Sequence, residues 1–111
     1  MTHDLIDREP RLKLALDPAH FMALGYRQYE VETLCQHTGH VHLRQAKQGV
    51  LQGRMEDGTI NFPASFGALR DAGYDGWLAI EYVHQAYLNT LFEDVLSETV
   101  KMRDAFHIWA V

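Results

Sequence analysis

Three short apolar runs, each carrying an ionisable residue at or near its C-terminal end, place the strongest constraint on the fold. They are Leu12 to Leu16 (LKLAL), closed by Asp17-Pro18; Val41 to Arg44, with His42 inside it; and Trp77 to Tyr82 (WLAIEY), with Glu81 near its end. The first run is too short for a stable helix, and a residue before proline is biased to extended geometry. The third is almost continuously apolar, as in a parallel strand buried on both faces. Three strands are therefore predicted.

Helical patterns separate them. Tyr26 to Gln36 carries Tyr26, Tyr29, Val31 and Leu34 with the helix formers Glu30 and Glu32, and Gly39 follows as a stop. Phe62-Pro63 opens a helix that runs to about Ala72, before Gly73. Leu91 to about Phe106 carries the clearest apolar stripe, with Val95, Leu96, Val100 and Met102 inside it. Gln45 to Thr59 contains Gly49, Gly53 and Gly58 without such a stripe and is predicted to be a long loop. Strand followed by helix, three times over, implies an α/β fold with a parallel sheet, in one domain over residues 1–111. In such folds ligand sites gather at the carboxyl ends of the strands.

Charge and cysteine usage narrow the function classes. Ten Lys and Arg against fifteen Asp and Glu give a formal charge of −5, which disfavours binding to nucleic acid or to an anionic membrane. No apolar run approaches the roughly 18 residues needed to cross a bilayer, and Met1 to Pro10 has no apolar segment of the signal-peptide kind. The single cysteine, Cys35, has no partner for an intramolecular disulfide. The expectation is a soluble cytoplasmic protein.

The residues with chemistry to offer are Asp17, His20, His42 and Glu81. Two carboxylates and an imidazole form a hard-to-borderline donor set suited to Mg²⁺, Mn²⁺, Co²⁺ or Zn²⁺. Plainer readings stand beside this one. Asp17 before proline also suits a strand-ending turn, and a lone His20 more often hydrogen-bonds in a loop than ligates a metal. His42 is one of seven histidines. Glu81 between Ile80 and Tyr82 is expected to be buried and so to need a partner, either a metal or an Arg from a neighbouring strand.

LALDPAH, HVHLRQA and GYDGWLAIEY, in that order, resemble the C-terminal part of the sugar phosphate isomerase/epimerase proteins, the xylose-isomerase-like TIM barrels that include endonuclease IV. The resemblance covers about Leu12 to Phe106, and its specificity lies in the ordered set of three motifs. It implies three consecutive βα units of a (β/α)8 barrel, with Asp17, His42 and Glu81 as ligands of a divalent metal ion. Glu81 would also exchange a proton with substrate. His20 would contact substrate, Arg54 falls where the family often places a basic substrate contact, and His84 is a further residue at the same mouth. A small sugar or sugar derivative is the implied substrate, isomerised or epimerised by proton transfer next to a carbonyl.

This sequence departs from the family pattern in two ways. Where many members continue the second motif as HLKD or HLND, it has Gln45. A complete barrel takes about 250 residues and eight βα units, and an earlier-strand glutamate that supplies the fourth ligand has no counterpart here. The chain is accordingly expected not to be active alone, and three outcomes stay open: pairing with a complementing N-terminal chain, assembly with further copies of itself, or a truncated product that never closes. The alternatives are a noncatalytic fragment that binds a metal or a partner and, disfavoured by charge and by the missing ligands, an endonuclease IV-like phosphodiesterase.

Overall fold

The structure is a computed structural model and describes residues 2–84 and 94–111. Among the described residues the elements are α1 (Thr2–Arg8), β1 (Leu14–Leu16), α2 (Pro18–Ala23), α3 (Gln28–Glu32), a 3-10 helix (Thr33–His37), β2 (Thr38–Leu43), β3 (Gln45–Lys47), β4 (Val50–Gly53), α4 (Phe62–Asp71), β5 (Leu78–Ile80) and α5 (Val95–Ala110). The predicted α/β class holds. β1, β2 and β5 form a parallel sheet in the order β1-β2-β5, with Leu16 opposite Val41 and His42 opposite Ala79.

Alternation along these strands divides the sheet into two unlike faces. Leu16, Val41 and Leu43 are buried on the helix side, and Leu14, Leu78 and Ile80 pack against that core. There α4 and α5 supply Phe66 and Met102, both almost fully buried. Phe66 also meets Phe106 edge-on at 5.2 Å. The opposite face carries Ala15, His40, His42 and Ala79, and it leads upward to Asp17 and Glu81.

Several sequence expectations change in detail. Tyr26 to Gln36 is not one helix: α3 has five residues and then tightens into the 3-10 helix. Thr33 Oγ1 donates to the Glu30 carbonyl at 2.7 Å, the local side-chain bonding by which threonine competes with helical backbone pairing. The predicted loop from Gln45 contains the antiparallel hairpin β3–β4, which turns at Gly49 with φ +79°. Its buried residues include Gln45 and Gln52, whose polarity conceals the strands from a hydrophobic count.

β5 is shorter than the WLAIEY run and is only half-buried, with Trp77 85% exposed. Among the described residues its outer edge has no strand partner, so the predicted burial on both faces is not met. α5 runs from Val95 to Ala110; Leu91, where the last helix was expected to start, lies outside the described residues. Asp94 caps it by accepting from Ser97 N at 3.0 Å and from Ser97 Oγ at 2.7 Å. Among the described residues no helix is long and apolar enough to cross a membrane.

Cys35 is 6% exposed in the core. Burial first, and then the Glu32 carboxylate, push its thiol up to about 11. Iodoacetamide should therefore spare the folded protein at neutral pH and label it in urea; rapid labelling without denaturant would contradict the packing. Because the unfolded thiol ionises first, near 9, this group's contribution to stability is lost as pH rises from about 9 toward 11. The urea midpoint should fall over that interval by more in the wild type than in Cys35→Ala.

Candidate metal centre

The three strand ends converge as parallel topology requires. Asp17 directly follows β1, His42 lies within β2, and Glu81 directly follows β5. One ligand atom from each of the three lies within 4.8 Å of the other two. Glu81 is held there by its backbone N–H, which donates to the Leu43 carbonyl at 2.8 Å. A divalent ion bonded at about 2.1 Å to each donor would hold the donors roughly 3–4 Å apart, so modest side-chain movements suffice. The residues fit such an ion.

Each ligand candidate already has a partner. His42 Nδ1 lies 2.8 Å from Glu81 Oε2, so these two side chains are already paired with each other. Asp17 is engaged through both oxygens: Oδ1 accepts from Ala19 N at 3.0 Å and caps α2, and Oδ2 accepts from Arg44 Nη2 at 3.1 Å. The turn reading and the ligand reading of Asp17 are thus compatible, because a carboxylate oxygen has more than one lone pair. Glu81 is about one-third exposed at its side chain, which corrects the expectation of burial. Its partner is His42; the Arg that sequence reasoning allowed for Glu81 goes to Asp17.

His20 joins the cluster from the first turn of α2. Its Nε2 lies 3.4 Å from Asp17 Oδ2 and 3.3 Å from Arg44 Nη2. Arginine can only donate, so Nε2 serves as an acceptor toward Arg44 when unprotonated and as a donor toward Asp17 when protonated. The His20 side chain is more than half exposed. Arg54 is exposed just beyond β4, and its charge helps, after a backbone hydrogen bond and Lys101, to hold the Glu56 carboxyl low. His84 is exposed three residues beyond Glu81.

Sequence reasoning missed the polar layer beneath these residues. Arg44, Gln45 and Gln52 are all at least 95% buried. Gln52 Oε1 accepts from Val83 N at 3.0 Å and from Arg44 Nη1 at 3.5 Å, and its Nε2 donates to the Val83 carbonyl at 2.8 Å. Tyr82 OH accepts from Gln45 N at 3.1 Å and donates to the Gly53 carbonyl at 2.9 Å. The hairpin therefore clasps the backbone that follows Glu81. One signal was available: Arg44 stands two residues beyond His42, hence on the same face of the strand.

Behind the sheet, a largely apolar groove of about 560 Å³ runs between β5, α4 and α5, lined by Phe66, Tyr74, Trp77, Phe106 and Trp109 among others. It contains none of Asp17, His42 and Glu81. The strand-end cluster is thus separate from this groove.

The comparisons agree with the topology. No curated protein and no solved structure matches the chain. The family model described as xylose isomerase-like TIM barrel matches residues 1–105. With three parallel βα units and polar residues gathered at their carboxyl ends, the chain belongs to the xylose isomerase-like TIM barrel family.

Proposed function

We propose that Asp17, His42 and Glu81 hold a divalent cation, Mn²⁺, Mg²⁺, Co²⁺ or Zn²⁺, in a site for isomerising or epimerising a small sugar or sugar derivative. The observation that carries this reading is the convergence of their three donor atoms at adjacent strand ends, within 4.8 Å. When bound, such an ion polarises a sugar carbonyl and makes the neighbouring C–H more acidic. Glu81, partly exposed and held through one oxygen by His42, is the group suited to take that proton. His20 is placed to hydrogen-bond a substrate oxygen from the rim, and Arg54 is assigned a more peripheral substrate contact.

Among the described residues the cluster holds no carboxylate beyond the two proposed ligands, Asp17 and Glu81, so a further one for returning the proton is missing. This favours a site completed by another chain or a further copy, whose strands would pair with the edges of β1 and β5 that have no strand partner among the described residues. The same observation supports the second reading, a binding unit without catalysis.

Titration calorimetry with each cation, in protein stripped by chelator, tests the metal. At 100-fold the dissociation constant, binding should stabilise the fold by about 2.7 kcal/mol, roughly 10 °C or more in melting temperature for a domain of this size. Glu81→Gln and His42→Gln should each lose most of that rise. Exchange of the hydrogen next to a ketose carbonyl, followed by NMR in D₂O, tests the chemistry. A bound metal without exchange in any assembled form would leave the binding unit as the function; no heat and no melting shift with any of the four ions would sink the metal site.

A further inference from the structure

Arg44 is a fixed positive charge built against a cluster that would bind a cation. Its side chain is 5% exposed and that of Asp17 is 7% exposed, with 3.1 Å between Nη2 and Oδ2. Of its other contacts, the one to Gln52 is long at 3.5 Å and the one to His20 Nε2 depends on that ring's protonation. Its Nε is buried with no partner among the described residues. A buried arginine serving only to knit the fold would be expected to use its donors more completely. This one makes a single strong contact, and that contact is with a ligand candidate.

The electrostatic consequence is direct. Asp17 and Glu81 bring two negative charges to the cluster and Arg44 cancels one of them, so an incoming divalent ion meets a net charge of −1 from these groups. It must also share Asp17 with a cation that cannot be deprotonated. Burial keeps Arg44 beside Asp17, since only 5% of its side chain reaches solvent. We propose that Arg44 is a positioning residue that acts as the resident counter-cation of Asp17 in the metal-free protein and holds the affinity of the cluster for divalent cations low. Resting on the metal reading above, this describes an exchangeable ion, replaced from solution, instead of one locked in at folding.

The test measures Mn²⁺ affinity by calorimetry for the wild type, Arg44→Gln and Arg44→Lys. Removing the charge in Arg44→Gln should tighten binding by about tenfold or more, while Arg44→Lys should stay within about threefold of the wild type. A role confined to structure predicts the reverse for Arg44→Gln, equal or weaker binding, and that result overturns the proposal while leaving the metal site standing. If Arg44→Gln binds and the wild type does not, the suppressing role is supported and the wild-type metal reading falls. No binding by any of the three overturns both. Should Arg44→Gln fail to fold, ¹⁵N NMR of the wild-type guanidinium decides. Mg²⁺ should accelerate its rotation and its hydrogen exchange as Asp17 is drawn away; an Arg44 signal that Mg²⁺ leaves unchanged overturns the proposal.

Discussion

Asp17→Ala should destabilise the metal-free protein by about 3–5 kcal/mol, the range for leaving one member of a buried ion pair without its partner. The charge left behind would be Arg44, 5% exposed, with only the long contact to Gln52 and the His20 ring to compensate. Loss of the α2 cap adds about 1 kcal/mol, since Oδ1 no longer accepts from Ala19 N. Asp17→Asn separates the two effects: its amide oxygen can still cap α2, so the remaining loss reports on charge. Arg44→Met added to Asp17→Ala should recover part of the deficit, because the lone buried cation is then gone. Urea unfolding in chelator measures all four proteins. A cost for Asp17→Ala below about 1 kcal/mol would mean that the pair behaves as a surface salt bridge, and the low-affinity account of the site would lose its foundation.

The order of the strands, and which residues stand at their ends, were readable because both follow from local pattern. A short apolar run next to Asp-Pro, an alternating HVHL and a nearly continuous WLAIEY each restrict the backbone to extended geometry. Parallel topology then brings Asp17, His42 and Glu81 together without any information about side-chain contacts. The buried polar layer is a different kind of fact. Gln45 and Gln52 read as surface residues until their partners, Ile60 and Val83, are known, and those partners are backbone groups 15 and 31 residues away. The hairpin was hidden for the same reason. Glu81 was misjudged because burial of β5 depends on what lies beyond its outer edge, which the WLAIEY pattern does not specify. Gln45 resolves one departure from the family pattern: its amide both donates to Ile60 O at 3.1 Å and accepts from Ile60 N at 2.9 Å. An ionised Asp could accept but not donate there.

Gly58→Ala tests that clamp and should cost about 3 kcal/mol. A Cβ at Gly58 would overlap Cγ, Cδ and Oε1 of Gln45. Gln45 is only 3% exposed, and its amide is committed at both ends: Oε1 also accepts from Ala46 N at 3.0 Å, besides the paired bonds to Ile60. The added methyl therefore cannot be accommodated by a free rotation toward solvent. It must break the clamp or displace the 55–60 backbone, which is tied to α5 through the bond from Met55 N to Glu98 Oε1. Gln45→Ala should be destabilising for the matching reason, since it strips the buried Ile60 N–H and carbonyl of their partner. The two changes remove one interaction, so Gly58→Ala/Gln45→Ala should be less damaging than their sum by about 1–3 kcal/mol. Amide exchange at Ile60 and Ala46 should accelerate in either single variant, while Val41 in the sheet stays protected up to the global unfolding limit. Strict additivity, or unchanged exchange at Ile60, would show that Gly58 is required for its backbone and not for the space it leaves to Gln45.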